Sequence, residues 1–270
     1  MADEPESGAA YFGAEVRVWR TEKGMSQREL GEAARYGQQY VAKVEAGERL
    51  ASPEFATACD GLFGTPGTFA RLRKRVAQRG YPDWFVPYVK LEERATVVLD
   101  YSTNLIMGML QTADYAHAVF RAAHPRDDLE VTAERVERRL KRRQVMEREN
   151  PPLLWVILDE SCLRRMVGSE EVMCEQLAHL LDVGQSPHAT LQVLPFGSGA
   201  PASHLGFTLM SFGGGEPDVL YVEDPVSGQI IDSPGTVANA NLTYDRLRAD
   251  ALSPKASLVL IRKVMEEWKA

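Results

Sequence analysis

Asp159 and Glu160 directly follow a short apolar run, Leu153–Leu158. A buried strand of an α/β fold often delivers its acid or base at that position. The same two carboxylates also suit a helix N-cap and acidic first turn ahead of Cys162-Leu163-Arg164-Arg165. The five histidines (His117, His124, His179, His188, His204) are scattered. A metal site would need three of them to converge, and isolated core or surface imidazoles are the plainer reading. Gly213-Gly214-Gly215 lacks the Lys and Ser/Thr of a phosphate cradle and reads better as a hairpin turn. Phe196–Leu205, rich in Gly and Ser, reads as a pocket wall or, more simply, a surface loop. The chain has no G-x-S-x-G, H-E-x-x-H or G-x-G-x-x-G. It is therefore expected not to be an enzyme, with no catalytic residues, no metal and no cofactor.

The most organised stretch is Met25–Arg49. Ser26 with Glu29 forms the pattern of a capping box. Leu30, Gly31, Ala33 and Ala34 follow as small or apolar positions, and Arg35-Tyr36-Gly37 is turn-like. A second short helix, about Gln38–Ala46, buries Val41 and Val44 and stops at Gly47. Two short helices with so little between them must cross steeply, which is the geometry of a helix-turn-helix. At Gly31 a side chain larger than Ala would hold them apart.

This stretch resembles the Xre/phage-repressor helix-turn-helix family, with Ser26, Gln27, Leu30, Gly31, Val41, Glu45 and Gly47 on its pattern. It departs where the family has Gly at the left-handed turn, here Arg35, and Ser or Thr as the second helix's cap, here Gly37. The resemblance implies a DNA-binding role for five residues. Gln27 would meet a phosphate at a helix N-terminus. Gln38 and Gln39 would face the major groove, where Gln can bond adenine N6 and N7. Tyr40 and Lys43 would touch backbone or base edges. Read without the pattern, Gln38 and Gln39 are ordinary solvated helix residues. Glu45 is expected to pair within the domain, since phosphates would repel it.

Around this core the chain of 270 residues has room for two or three domains. No apolar run approaches the length of a membrane span, and no signal-peptide pattern opens the chain. Cys59, Cys162 and Cys174 read as reduced thiols, so a cytoplasmic location is expected. Gly13–Gly80 carries 12 Lys/Arg against 8 Asp/Glu, whereas the whole chain is −7. A mildly basic head on an acidic body suits a DNA-binding domain joined to something that does not bind DNA.

The expected fold is an all-α N-terminal helix-turn-helix domain of five helices, residues 1–80, then a mixed α/β domain with a small sheet, residues 81–270. Met1–Ala10 is expected to be disordered. Helices follow from Gly13 to Lys23, from Ser52-Pro53 with Phe55, Ala58, Cys59 and Leu62 inward, and from Thr65-Pro66 to Gly80. The basic run Arg71, Arg73, Lys74, Arg75 and Arg79 suits DNA, solvent or the acidic body. Tyr81–Pro87 marks the boundary. In the body, helices are expected at Thr112–Ala123, Val131–Asn150, Ser169–Val183, Pro234–Ala251 and Ser253–Trp268. Strands are expected at Leu153–Leu158, Thr190–Leu194, Gly206–Phe212 and Val219–Glu223. Leu110 reads as core or as part of a partner groove, and Gln111 is open.

The body resembles that of actinobacterial WhiJ-type regulators, through Leu91, Glu92, Ala95, Gly108, Leu110, Gln111, Thr112, Tyr115 and Ala116 and several later runs, with Met107 in place of a proline. With the head, the resemblance spans Tyr11–Lys269. It implies a transcriptional regulator that binds an inverted-repeat operator in double-stranded DNA as a homodimer. Its body would receive a signal, from a small partner protein in the antitoxin-like manner. An antitoxin acting mainly on its partner and a small-molecule sensor are the alternatives.

Overall fold

The computed structural model describes residues 8–78, 85–224 and 227–269. Contacts divide the chain into two units, Met1–Asp83 and Trp84–Ala270, each with its own core.

The first unit holds α1 (Gly8–Glu22), α2 (Gln27–Ala34), α3 (Gln38–Glu45), α4 (Pro53–Phe63) and α5 (Thr68–Gln78). Leu30, Val41 and Val44 are fully buried with Phe12, Val16 and Phe55. Helix α1 starts at Gly8, earlier than expected, so Gly8–Ala10 are ordered helix; residues 1–7 lie outside the described residues. The first turn is small because it packs on the turn after α3: a Cβ on Gly47 would lie 2.6 Å from the Ala10 Cα. A Cβ on Gly13 would meet the Val44 carbonyl at 2.1 Å, so α1 rests directly on the backbone of α3. In α4 the inward positions are Phe55, Ala56, Cys59 and Phe63, while Leu62 is 37% exposed. Helix α5 begins at Thr68 because Asp60 caps it from α4, accepting the Phe69 and Ala70 N–H groups at 2.8 Å. Its expected end near Gly80, with Arg79, and the Tyr81–Trp84 part of the boundary lie outside the described residues.

The second unit is a mixed α/β body. In order it contains α6 (Val86–Glu92), β1 (Val97–Ser102), α7 (Ala113–Ala123), α8 (Leu129–Lys141), β2 (Leu153–Asp159), α9 (Ser161–Arg164), α10 (Glu170–Val183) and β3 (Ala189–Leu194). Then come β4 (Phe207–Ser211), β5 (Val219–Glu223), β6 (Gly228–Ile231), α11 (Pro234–Asp250) and α12 (Pro254–Glu267). The sheet order is β3-β2-β1-β4-β5-β6, with β1, β2 and β3 parallel and the remaining pairings antiparallel. Gly213–Gly215 lies between the paired strands β4 and β5, and Thr112 and Ser169 cap α7 and α10. One face buries Val98, Val156, Val193 and Met210 under residues of α10 and α12; the other buries Tyr101, Ile157 and Leu209 under Val237, Tyr244 and Leu247 of α11.

Several body elements depart from expectation, helix α6 (Val86–Glu92) among them. Strands β1 and β6 are additions, so the sheet has six strands. The long helix ends at Lys141, and Arg142–Glu147 continues as 3-10 turns. Arg142, at that break, turns inward and grips Glu92 with two 2.7 Å hydrogen bonds, both side chains being buried. Its guanidinium lies over the Phe85 and Tyr88 rings. Leu110 is core. Gln111 is buried too, donating to the Ile106 carbonyl and accepting from Arg139.

Asp100, in the central strand β1, has a different environment. Its carboxylate accepts from the Ser102 and Thr208 hydroxyls at 2.6 and 2.8 Å. Burial pushes its pKa up to about 6, because two hydroxyls replace only part of the lost hydration. Between pH 4 and 6 the folded chain therefore holds a proton that the unfolded chain has released. Stability falls as pH rises through that window, by about 3 kcal/mol in total. Asp100→Asn is expected to stabilise the body at pH 7–8 by about 1–3 kcal/mol and to flatten the pH 4–6 slope. Denaturant titrations of both proteins across pH 4–8 measure this; an unchanged slope would exclude Asp100 as its source.

Candidate nucleic-acid interface

Helix α2 opens on the capping box: the Ser26 hydroxyl accepts the Glu29 N–H at 3.2 Å, and Glu29 accepts the Ser26 N–H at 2.7 Å. It ends at Arg35, which is left-handed at φ 64°, ψ 39°. Glycine would adopt this conformation at less cost. The turn closes as the Tyr36 N–H reaches the Gly31 carbonyl at 2.7 Å. A Cβ on Gly31 would meet the Tyr36 carbonyl at 2.7 Å, so the crossing is tighter than expected and leaves no room even for Ala without a shift. Gly37 starts α3 in extended conformation with no side-chain cap.

Two side-chain clusters fix α3. The first is aromatic. Tyr36 and Tyr40 stack at 4.4 Å, and Phe55 meets both edge-on. The Tyr40 hydroxyl accepts the Ser52 N–H at 2.7 Å, and the hydroxyls of Tyr36 and Ser52 pair at 2.5 Å. The second cluster is ionic. Glu45 takes Arg20 Nε at 2.5 Å and Nη2 at 3.0 Å, while Gln27 Nε2 donates to it at 2.9 Å. Arg20 Nη1 reaches the Met25 carbonyl at 2.7 Å. One carboxylate thus ties α1, α2 and α3 together, and the pair is largely out of water, with side chains 11% and 4% exposed.

The five sequence-derived residues separate on this frame. Gln38, Gln39 and Lys43 are exposed on α3. Gln27 and Tyr40 are half-buried, their polar ends engaged by Glu45 and Ser52. Sequence reasoning missed Arg20, Tyr36 and Ser52, which fix α3 through contacts that include Arg20 to Glu45 across 25 residues and Ser52 to Tyr40 across 12. It also missed Arg49, whose guanidinium lies 5.0 Å from the Tyr40 ring centre. In the basic run, Arg71 donates to the Pro66 carbonyl and Arg73 to that of Ala51, while Lys74 and Arg75 are exposed.

Elsewhere, the acids considered for catalysis have local partners. Asp159 accepts the Ser161 N–H at 2.9 Å. Glu160 pairs with Arg164 at 2.6 Å and accepts the Phe196 N–H at 2.8 Å; burial alone would raise its carboxyl, and these bonds together outweigh it and hold the group below the usual range. Phe196–Leu205 is mostly exposed, and Ser203 and Leu205 border a shallow apolar depression of about 220 Å³. Cys59, Cys162 and Cys174 are free thiols, and burial pushes Cys59 up to about 12. Among the described residues, no His/Cys/Asp/Glu group is placed to hold a metal, and no helix is long and apolar enough to cross a membrane.

Glu45→Gln is expected to cost about 3 kcal/mol by leaving Arg20 buried without its counter-charge. Amide exchange of α1 to α3 in the full chain would reveal the loss, and unchanged protection would mean that the aromatic cluster suffices. Arg35→Gly is expected to raise the head's melting temperature slightly. It relieves about 1 kcal/mol of left-handed strain, part of which the freer unfolded chain cancels. A clearly lower midpoint would show a stabilising role for the Arg35 side chain.

Residues 12–74 match the family described as a helix-turn-helix domain, which supports a DNA-binding regulator of Xre-like type. Residues 85–263 match the family described as Domain of unknown function (DUF5753). No curated protein and no solved structure matches the chain. Since the second match covers more than half of the 270 residues, the chain belongs to the DUF5753 family and carries a helix-turn-helix domain ahead of that body.

Proposed function

We propose that the protein is a sequence-specific transcriptional regulator of the Xre type whose body, of WhiJ-like kind, receives a signal from a small partner protein. The reading is carried by one observation: Gln38 and Gln39 stand exposed on the first turn of a helix that the Glu45 and Tyr40 clusters hold rigidly. A glutamine amide offers a donor and an acceptor at the spacing of adenine N6 and N7, so a fixed α3 would read two adjacent bases in the major groove. Lys43, farther along the same helix, would meet a phosphate. Gln27 and Tyr40 would contribute less directly, Gln27 through the N-terminus of α2 and Tyr40 by holding the angle of α3.

One such head reads few base pairs, so a homodimer on an inverted repeat would provide discrimination, with half-sites one helical turn or a multiple apart. The body does no chemistry in this scheme; its work is dimerisation and binding in the cytoplasm, as in an antitoxin-like regulator. Gln38→Ala and Gln39→Ala are each expected to lower affinity for the operator by about 1–3 kcal/mol with little change on random DNA. Mobility-shift titrations on a site selected from random sequence test this. Equal losses on both DNAs would overturn the base-reading assignment.

A further inference from the structure

Among the described residues, Arg35 is the one residue other than glycine with a positive φ. In this conformation the β-carbon crowds the following carbonyl, so a side chain persists there against a penalty that glycine avoids. The backbone of the turn gives no reason for it. The Arg35 N–H reaches the Glu32 carbonyl at 3.2 Å and the Tyr36 N–H reaches the Gly31 carbonyl at 2.7 Å. Both bonds would form equally well with glycine at position 35. Packing gives no reason either, because the Arg35 side chain is exposed.

Nor does a neighbouring charge account for it. The acids between Ser26 and Gly47 are Glu29, Glu32 and Glu45. Glu29 accepts the Ser26 N–H in the capping box, Glu32 lies 3.7 Å from Arg28, and Glu45 is engaged by Arg20 and Gln27. The cations of the same stretch are Arg28, Arg35 and Lys43, and among the described residues only Arg28 has an acidic partner. Arg35 and Lys43 therefore bracket the exposed Gln38 and Gln39, one in the turn before them and one a helical turn after. When such a helix enters the major groove, its first turn lies nearest the bases. The turn before it then lies toward the groove wall, which is lined by phosphates.

We propose that Arg35 is a phosphate-binding residue, its guanidinium gripping the DNA backbone beside the bases that Gln38 and Gln39 read. The planar fork of arginine suits a phosphate, and the lack of an acidic partner leaves all its donors available. A phosphate contact carries no sequence information, so Arg35 would raise affinity for every duplex and fix the register of α3. The strained turn is then a local loss of stability kept for binding. This deepens the regulator reading and rests on it.

The test titrates the full chain and its Arg35→Gly, Arg35→Gln and Arg35→Lys variants onto the selected operator and onto random duplex DNA. Salt is varied from about 50 to about 200 mM. Arg35→Gly and Arg35→Gln are each expected to weaken binding to both DNAs by a similar factor. They should also reduce the slope of log affinity against log salt by about one unit for each head bound. Their deficit should accordingly shrink by about threefold per head across that salt range. Arg35→Lys keeps both charge and strain, and its slope should match the wild type. Arg35→Gly should melt no lower than the wild type, so its weaker binding would not come from lost folding. Unchanged slopes in the glycine and glutamine variants, a loss confined to the operator, or a clearly lower melting point for Arg35→Gly would each overturn the proposal. Wild-type protein that binds neither DNA would overturn the regulator reading itself, whereas normal wild-type binding with unchanged variant slopes removes only the Arg35 contact.

Discussion

The head depends on the Glu45 carboxylate. Its two oxygens take three donors, from Arg20 on α1 and Gln27 on α2, so the last residue of α3 fixes the positions of both preceding helices. A domain this small has limited apolar area with which to set helix angles, and directional bonds to a charge that is nearly out of water add what packing lacks. The glycines complete the constraint. Gly13 and Gly31 let backbone meet backbone, so the helices can be close enough for these short bonds to form.

The body meets a related difficulty with two buried carboxylates handled in opposite ways. Glu92 has a full bidentate partner in Arg142, which in turn lies over aromatic rings. Asp100 has hydroxyls only, and its raised pKa measures the shortfall. Both lie near the junction of the parallel and antiparallel halves of the sheet, with Thr208 of β4 reaching Asp100 of β1 across it. The cost of an incompletely solvated carboxylate therefore falls on the most central strand of the fold.

Local patterns were legible where they carried their own punctuation. The capping box at Ser26, the stops at Gly47 and Gly64, and the caps Thr112 and Ser169 each bound a helix by chemistry within a few residues. The left-handed turn was readable at Arg35 because the pattern around it left no other place for it. Strand β1 was hidden by Asp100, a charge in the middle of a run in which the fold buries Val98 and Asp100–Ser102 and half-buries Val97 and Leu99. Strand β6 is four residues of mixed polarity, too short for alternation to register. The break in α8 had no local signal, since R-R-Q-V-M-E continues a good helical sequence and only the distant Glu92 draws Arg142 out of it. The same limit applies at the interface. The exposure of Gln38 and Gln39 follows from helical spacing, but the engagement of Gln27 and Tyr40 depends on partners 18 and 12 residues away.

The body's acidity is also unevenly placed, which its net charge conceals. The arginines of α8 and the turns after it are drawn into local structure: Arg135 to Asp127, Arg138 to Glu134, Arg139 to Gln111, Arg142 to Glu92, and Arg148 to the Glu93 and Ala95 carbonyls. A positive stretch of sequence is thereby spent on holding α8 against α6, α7 and the loops before them. The antiparallel strands β4 to β6 come from a stretch of sequence with no Lys or Arg, so cations reach their acids from elsewhere in the chain: Arg94 pairs with Glu216 at 2.7 Å, and Arg139 and Arg142 oppose the rise that burial gives the Glu223 carboxyl. The antiparallel half of the sheet thus depends for its charge balance on arginines from the loop before β1 and from α8 and the turn after it, which ties segments far apart in sequence to one another.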